Sequence, residues 1–351
     1  MVKHSWGKAR IGMIATLGAA ALAIAGLHRF SGRAYSADPA PALFVTDNCS
    51  QGVMAFPAET YGDISPLAPA PTGLSKPQFV AIDKNSNIYA TNLCTRTITI
   101  YAEGSKGIAA PTAIIGGTST GLSSPEGIAV DSDSNIYVAD LAADSVFVYS
   151  AGSSGDAAPL ATISGDNTGL DAPTGIALDS SGNIYVTSST NSSVRVFAPL
   201  ASSSGTLNEA PIAIISGPST DLDAPQGIAL DSNDKIYVAG TDVTVPEVLI
   251  YPALGGSGWV AGPPATYTVA PAATIAGSTT DLANPIGVAL DSNNKIYVAD
   301  VDDQGVYVYP ALGSSSGTLD EAPTYTIRGS STALSRPQGV ALDSSRNIYV
   351  A

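Results

Sequence analysis

A sixteen-residue phrase returns six times along this chain, and a recurrence of that period restricts it to repeat architectures. The phrase reads PQFVAIDKNSNIYATN from Pro77, PEGIAVDSDSNIYVAD from Pro125 and PTGIALDSSGNIYVTS from Pro173. It continues as PQGIALDSNDKIYVAG from Pro225 and PIGVALDSNNKIYVAD from Pro285, and closes as PQGVALDSSRNIYVA from Pro337. The starts lie 48, 48, 52, 60 and 52 residues apart.

Each unit divides into four short strands. In the second, GIAVD and NIYVAD form a hairpin across Asp131-Ser132-Asp133-Ser134, SVFVYS supplies a third strand, and LATISG a fourth after a Gly/Ser loop. The residue ending the hairpin turn is Ser86, Ser134, Gly182, Asp234, Asn294 or Arg346 across the units. A left-handed turn position suits most of these and suits Arg346 least. The Asp of each hairpin (Asp83, Asp131, Asp179, Asp231, Asp291, Asp343) is explained by turn chemistry, its carboxylate accepting nearby backbone N–H groups. A six-fold catalytic role makes no sense for it.

Antiparallel four-stranded units repeated radially describe an all-β propeller. The apolar run Ile136-Tyr137-Val138-Ala139 fits a strand covered on both faces by neighbouring blades. An open solenoid is the rival, but hairpin-connected strands favour the closed ring. The segment ALFVTDNCSQGVMAFP, Ala42 to Pro57, matches second and third strands, whereas the last unit has only a first and second. The expectation is six four-stranded blades over residues 38–351, with residues 42–70 closing the ring. LFVTD and the terminal NIYVA then compete for one strand position.

The phrase Pro-x-Gly-Ile/Val-Ala-Leu-Asp-Ser-x-x-Asn-Ile-Tyr-Val-Ala-Asp, with its trailing VFVY, resembles the NHL-repeat propellers, in the wording of exported bacterial members. Phe79 departs from it where the other copies have Gly. The resemblance implies a binding scaffold, a sensor ectodomain, or in a few cases a lyase or hydrolase. A fold of this kind does not name a chemistry.

Residues 1–37 hold five Lys/Arg and no Asp/Glu, and Ile11–Leu27 is uncharged. A basic start before an apolar run reads as a signal peptide or a membrane anchor at residues 11–27. Either implies an exported protein: periplasmic, cell-surface or secreted. Ten basic residues against thirty acidic ones remain beyond that segment, a balance that repels phosphate backbones and disfavours nucleic acid.

At one register after the second strand stand Asp47, Asn92, Asp140, Ser188, Gly240 and Asp300, with Glu126, Asp144, Asp242, Asp302 and Asp303 nearby in sequence. Asp140, Asp300, Asp47 and Asn92 are the candidate Ca²⁺ ligands if their oxygens converge. The alternative is that they cap strand ends. Cys49 and Cys94 share the next register on adjacent blades, and an even pair in an exported chain predicts a disulfide.

Other motifs carry no chemistry. DSDSN at Asp131–Asn135 mimics an EF-hand start, but Ile136 replaces the required Gly and Ala142 the bidentate Glu. GSSSG at Gly313–Gly317 lacks the helix and the base that a serine nucleophile needs, and reads as a flexible loop. The two histidines, His4 and His28, both lie in the export segment, which removes His-dependent catalysis from the body. Trp259 sits in a Gly/Pro insertion, as a contact residue or a lid on the blade edge. The sequence therefore predicts a monomeric binding module without a resident cofactor, Ca²⁺ aside. It would meet a protein or glycan partner at the channel mouth or outer loops, with a Ca²⁺-dependent hydrolase or lactonase as the alternative.

Overall fold

The computed structural model describes residues 53–58, 60–66, 72–105, 109–200, 204–240, 245–255, 261–262, 266–313 and 315–351. The export segment, Asp47, Cys49, Asp242 and Trp259 lie outside these residues.

Five blades carry four antiparallel strands each. The second is representative: Pro125–Val130, Ile136–Asp140, Ser145–Tyr149 and Ala161–Ile163, ordered from the axis outward. The others begin at Pro77–Ile82, Pro173–Leu178, Ile228–Leu230 and Pro285–Leu290. The remaining sheet has three strands, Val340–Leu342, Ile348–Val350 and Met54–Phe56. The expected six four-stranded blades are therefore corrected to five, joined by a three-stranded closure. The terminal Ile348–Val350 takes the contested second-strand place, pairing antiparallel with Met54–Phe56.

The core lies between blades rather than within one. Ile98 and Ile100 of the first blade meet Ile136, Val138 and Phe147 of the second, and the same sandwich recurs around the ring. This burial on both sides explains why the strand Ile136–Asp140 is buried at every position. Tyrosines at the end of third strands lock the layers. The Tyr101 hydroxyl donates to the Thr72 carbonyl at 2.8 Å and Tyr149 to Thr120 at 2.7 Å, with Tyr251 and Tyr309 doing likewise on Thr220 and Thr280.

The hairpin aspartates behave as the turn chemistry requires. Asp131 Oδ1 accepts the N–H groups of Asp133 and Asn135 at 2.8 Å, while Oδ2 accepts Asn135 Nδ2 at 2.8 Å and the Tyr137 hydroxyl at 3.3 Å. The turn-ending residue is left-handed in every unit, from φ 58° at Asp234 to φ 81° at Gly182. Arg346 is held at φ 64°, a region that costs a side-chain-bearing residue about 1–2 kcal/mol. Arg346→Gly is expected to raise the melting temperature by about 2–4 °C, read by calorimetry. No rise would mean that the arginine side chain compensates for its backbone.

The outer loops carry straps, and the last residue of GSSSG, Gly317, begins one of them. Gly317–Leu319 of the fifth unit pairs in parallel with Ala273–Ala276, the outermost blade strand of the fourth. Gly205–Leu207 does the same on Ala161–Ile163, and Thr266–Tyr267 on Ala213–Ile215. Each strap covers an edge that would otherwise template pairing with another chain. An acceptor side chain then caps the preceding blade's turn: Ser119 N donates to Asp156 at 2.6 Å, Asn167 N to Asn208 at 2.9 Å and Thr279 N to Asp320 at 2.7 Å. The N-terminal segment supplies the strap for the fifth blade, Gly62 bridging Ile327 and Asp63 accepting from Ser331 N at 2.6 Å. Ring closure thus has two latches, one between the second and third strands of the closing sheet and one at the rim.

Candidate functional site

The end of each second strand turns back over the loop that enters the first, so its last side chain is buried between two loops. Asp140 and Asp300 are both completely buried there. Asp140 accepts the N–H groups of Ser123 at 2.8 Å, Ser124 at 2.9 Å and Ala143 at 3.1 Å. Asp300 accepts those of Ala283 at 2.8 Å, Asn284 at 2.9 Å and Asp303 at 3.0 Å. Asn92 does the same work with an amide: Ser75 N donates to its Oδ1 at 3.0 Å, and its Nδ2 donates to Thr99 Oγ1 at 3.2 Å. At Ser188 the hydroxyl both accepts from and donates to the Asp171 backbone at 2.9 Å.

These residues share a register but do not converge. Each clamps its own entry loop, and no group of three or more His, Cys, Asp or Glu suited to a metal occurs among the described residues. Asp140, Asp300 and Asn92 each accept backbone N–H groups of their own entry loop. Burial raises the carboxyl pKa of Asp140 and of Asp300, and the donated backbone N–H groups pull each back down. The neighbouring acids are dispersed. Asp144 accepts from Ala172 N at 2.8 Å, Asp302 from Asn284 Nδ2 at 3.2 Å, and Asp303 is paired with Arg328. Cys94 is exposed.

The axis itself is nearly closed. The channel holds about 60 Å³, lined by Phe79, Val80, Ile128, Ile176, Val288, Val340 and neighbouring first-strand residues. Phe79, the one departure from the repeat's Gly, is thus part of the channel wall. The first strands are stitched across blades: Thr187 Oγ1 donates to the Gln226 carbonyl at 2.5 Å, Thr91 Oγ1 to Glu126 O at 2.6 Å, and Gly227 N to Ile286 O at 2.8 Å.

Glu126 occupies a position taken by Gln78, Thr174, Gln226, Ile286 and Gln338 in the other units. Burial pushes its carboxyl up to about 8, against a pull down from Lys76 and with a further push from Asp140. A carboxyl raised on folding contributes stability that is complete below its ordinary value of 4.5 and is lost as pH rises towards 8. Glu126→Gln is therefore expected to raise the melting temperature by about 3 °C or more at pH 8.5 and to leave it unchanged at pH 4. An equal shift at both pH values would show that the charge is not responsible.

Sequence reasoning missed the straps and their caps. Their signal was present as a Gly followed within three residues by Asp or Asn, then a Pro, in YGDISP, SGDAAP, GTLNEAP and GTLDEAP. Comparison with known proteins agrees with this architecture. A family model described as a beta-propeller repeat, SBBP, matches residues 112–139 and 162–194. No curated relative matches the chain in sequence. Among solved structures, the WD40 β-propeller domain of Doa1 is 12% identical with a TM-score of 0.54, the match covering 90% of each chain. A protein of unknown function from Bacteroides caccae is 12% identical with a TM-score of 0.55, covering 84% of this chain and 96% of that one. Virginiamycin B lyase from Staphylococcus aureus is 12% identical with a TM-score of 0.50, covering 78% of this chain and 77% of that one. At such identities the likeness is one of fold. The chain is a β-propeller repeat protein.

Proposed function

We propose that this is an exported NHL-like propeller acting as a binding module in the cell envelope or extracellular space. Its partner, a protein or glycan, meets the turns and grooves on the outside of the wheel. The observation that carries this reading is where the polar groups are spent. Asp140, Asp300 and Asn92 are committed to backbone groups of their own loops, and the axial space holds only about 60 Å³. A small-molecule site typically needs about 300 Å³ or more. The basic start and uncharged run of residues 11–27 support export.

Peptide and glycan arrays probed with the full chain are expected to give saturable binding that EDTA does not remove. Ca²⁺-dependent turnover of a lactone panel above the buffer rate would overturn the module reading. An alkaline phosphatase fusion after Ala40 is expected to be active in a bacterial host, and an inactive, intact fusion would overturn export. Peptide mapping without reductant is expected to recover Cys49 linked to Cys94; unlinked thiols would remove the disulfide.

A further inference from the structure

The six hairpin turns face the end of the wheel opposite the entry loops, and the gaps between consecutive turns are not equivalent. Between the first and second blades, Lys84 crosses the gap and its Nζ donates to the Ser132 carbonyl at 2.6 Å. Between the third and fourth, the Asp234 carboxylate takes the Ser180 N–H at 3.2 Å and the Ser180 hydroxyl at 3.0 Å. Between the second and third, the residue in the lysine's place is Ser132, too short to cross. A groove of about 420 Å³ opens there. That volume is within the range of small-molecule sites.

The lining of this groove differs from its occupied neighbour in two directions at once. Its wall carries Leu160, Leu178, Pro199 and Leu200, where the preceding gap has Thr112, Val130, Ala151 and Gly152 at the equivalent positions. Its polar end carries the Asp133 carboxylate, where the preceding gap has Asn85. The first change favours an apolar body and the second a positive charge. The equivalent of the carbonyl that receives Lys84 is that of Ser180, whose N–H and hydroxyl are already held by Asp234. Leu160, at 43% exposure, is one of the most exposed large apolar side chains among the described residues.

We propose that this groove binds an alkylammonium group, its ammonium at Asp133 and the Ser180 carbonyl and its hydrocarbon along Leu160, Leu178 and Leu200. Lys84 is the chain's own version of that ligand, covalently supplied to the gap next door. The source is either a free aliphatic amine or the lysine side chain of a protein partner. The chemistry goes beyond the binding-module reading and does not depend on where the chain resides.

The test titrates the full chain with n-pentylammonium, n-pentanol and Nα-acetyl-lysine methylamide, read by calorimetry and ligand-observed NMR. n-Pentylammonium is expected to bind with a Kd on the order of 1 mM, about tenfold tighter than n-pentanol. Ser132→Lys, which places a tethered ammonium where Lys84 has one, is expected to abolish binding and raise the melting temperature. Asp133→Asn should weaken binding several-fold, whereas Lys84→Ala leaves it unchanged. Preference for the acetylated lysine identifies a protein source, and preference for the simple amine a free one. Equal affinity for amine and alcohol, or binding that survives Ser132→Lys, would overturn the proposal. If Ser132→Lys does not fold, unchanged affinity in Asp133→Asn overturns it instead. Array binding that persists while amine binding fails would sink this inference and leave the module intact.

Discussion

Asp140→Ala is expected to destabilise the protein by about 3–5 kcal/mol, because three N–H donors lose their acceptor in a buried loop. Those donors are Ser123, Ser124 and Ala143, and the residue they surround has no solvent exposure. Asp140→Asn is expected to cost less, since its Oδ1 can keep the Ser124 and Ala143 N–H groups and only the Ser123 N–H is left facing an amide NH2. The first blade already places Asn92 at this register, with Ser75 N on its Oδ1 at 3.0 Å. Thermal or urea unfolding of the two variants separates the clamp from a metal ligand. A clamp needs an acceptor oxygen at this place and tolerates the loss of charge. A Ca²⁺ site loses affinity with either substitution, and its melting temperature would stop responding to added Ca²⁺. Equal losses for Ala and Asn, together with a Ca²⁺ response in the parent, would restore the metal. The pH dependence is also signed. Burial raises the carboxyl pKa of Asp140, so its protonation-linked contribution is present in acid and lost as pH rises through the folded value. Asp140→Asn removes that slope.

Much of the blade was legible because its determinants are local. The turn aspartate, the left-handed residue and the apolar second strand all act within some ten residues, as Asp131, Ser134 and Ile136–Asp140 do. The reading weakened wherever a contact crossed from one unit to the next. Counting phrases gave six, yet the last phrase belongs to a three-stranded closure completed by Met54–Phe56. The strap Gly317–Leu319 has no alternation of its own to mark it as a strand, and its partner strand lies in the preceding unit. The acidic register was seen, but its orientation was not. A carboxylate at the end of a strand serves either the mouth or the entry loop, and only the positions of Ser123 and Ser124 decide between them. The groove beside Asp133 depends on Ser132 not being a lysine, a signal visible only when the turns are compared in sequence with the gap each must cross.

Gly175→Ala is expected to cost as much as the loss of a buried clamp, or more, for a reason that lies in ring closure. A Cβ at Gly175 would stand 2.3 Å from the Gln226 carbonyl oxygen and 2.9 Å from Thr187 Oγ1. Its φ is not left-handed, so the backbone itself would accept alanine and the penalty is one of space. The same collision awaits at Gly127 with Thr174 O at 2.3 Å, and at Gly287 with Gln338 O at 2.2 Å. In an open sheet the neighbour could withdraw by an ångström. Here Gln226 O is held by Thr187, and each first strand has another behind it, so one displaced blade pushes all the rest. Overpacking in a yielding core costs about 1–3 kcal/mol, and a closed ring offers less relief. The contrast to measure is Gly182→Ala, in the hairpin turn between the first and second strands, where the nearest atom is Pro199 Cβ at 3.6 Å. That variant pays only the left-handed backbone term of about 1–2 kcal/mol. If denaturant unfolding gave Gly175→Ala the smaller loss, the first strands would not be in mutual contact and the channel would be open. A loss well above that of Gly182→Ala would confirm that the wheel is sealed at its axis, leaving its turns and grooves as the surfaces available to a ligand.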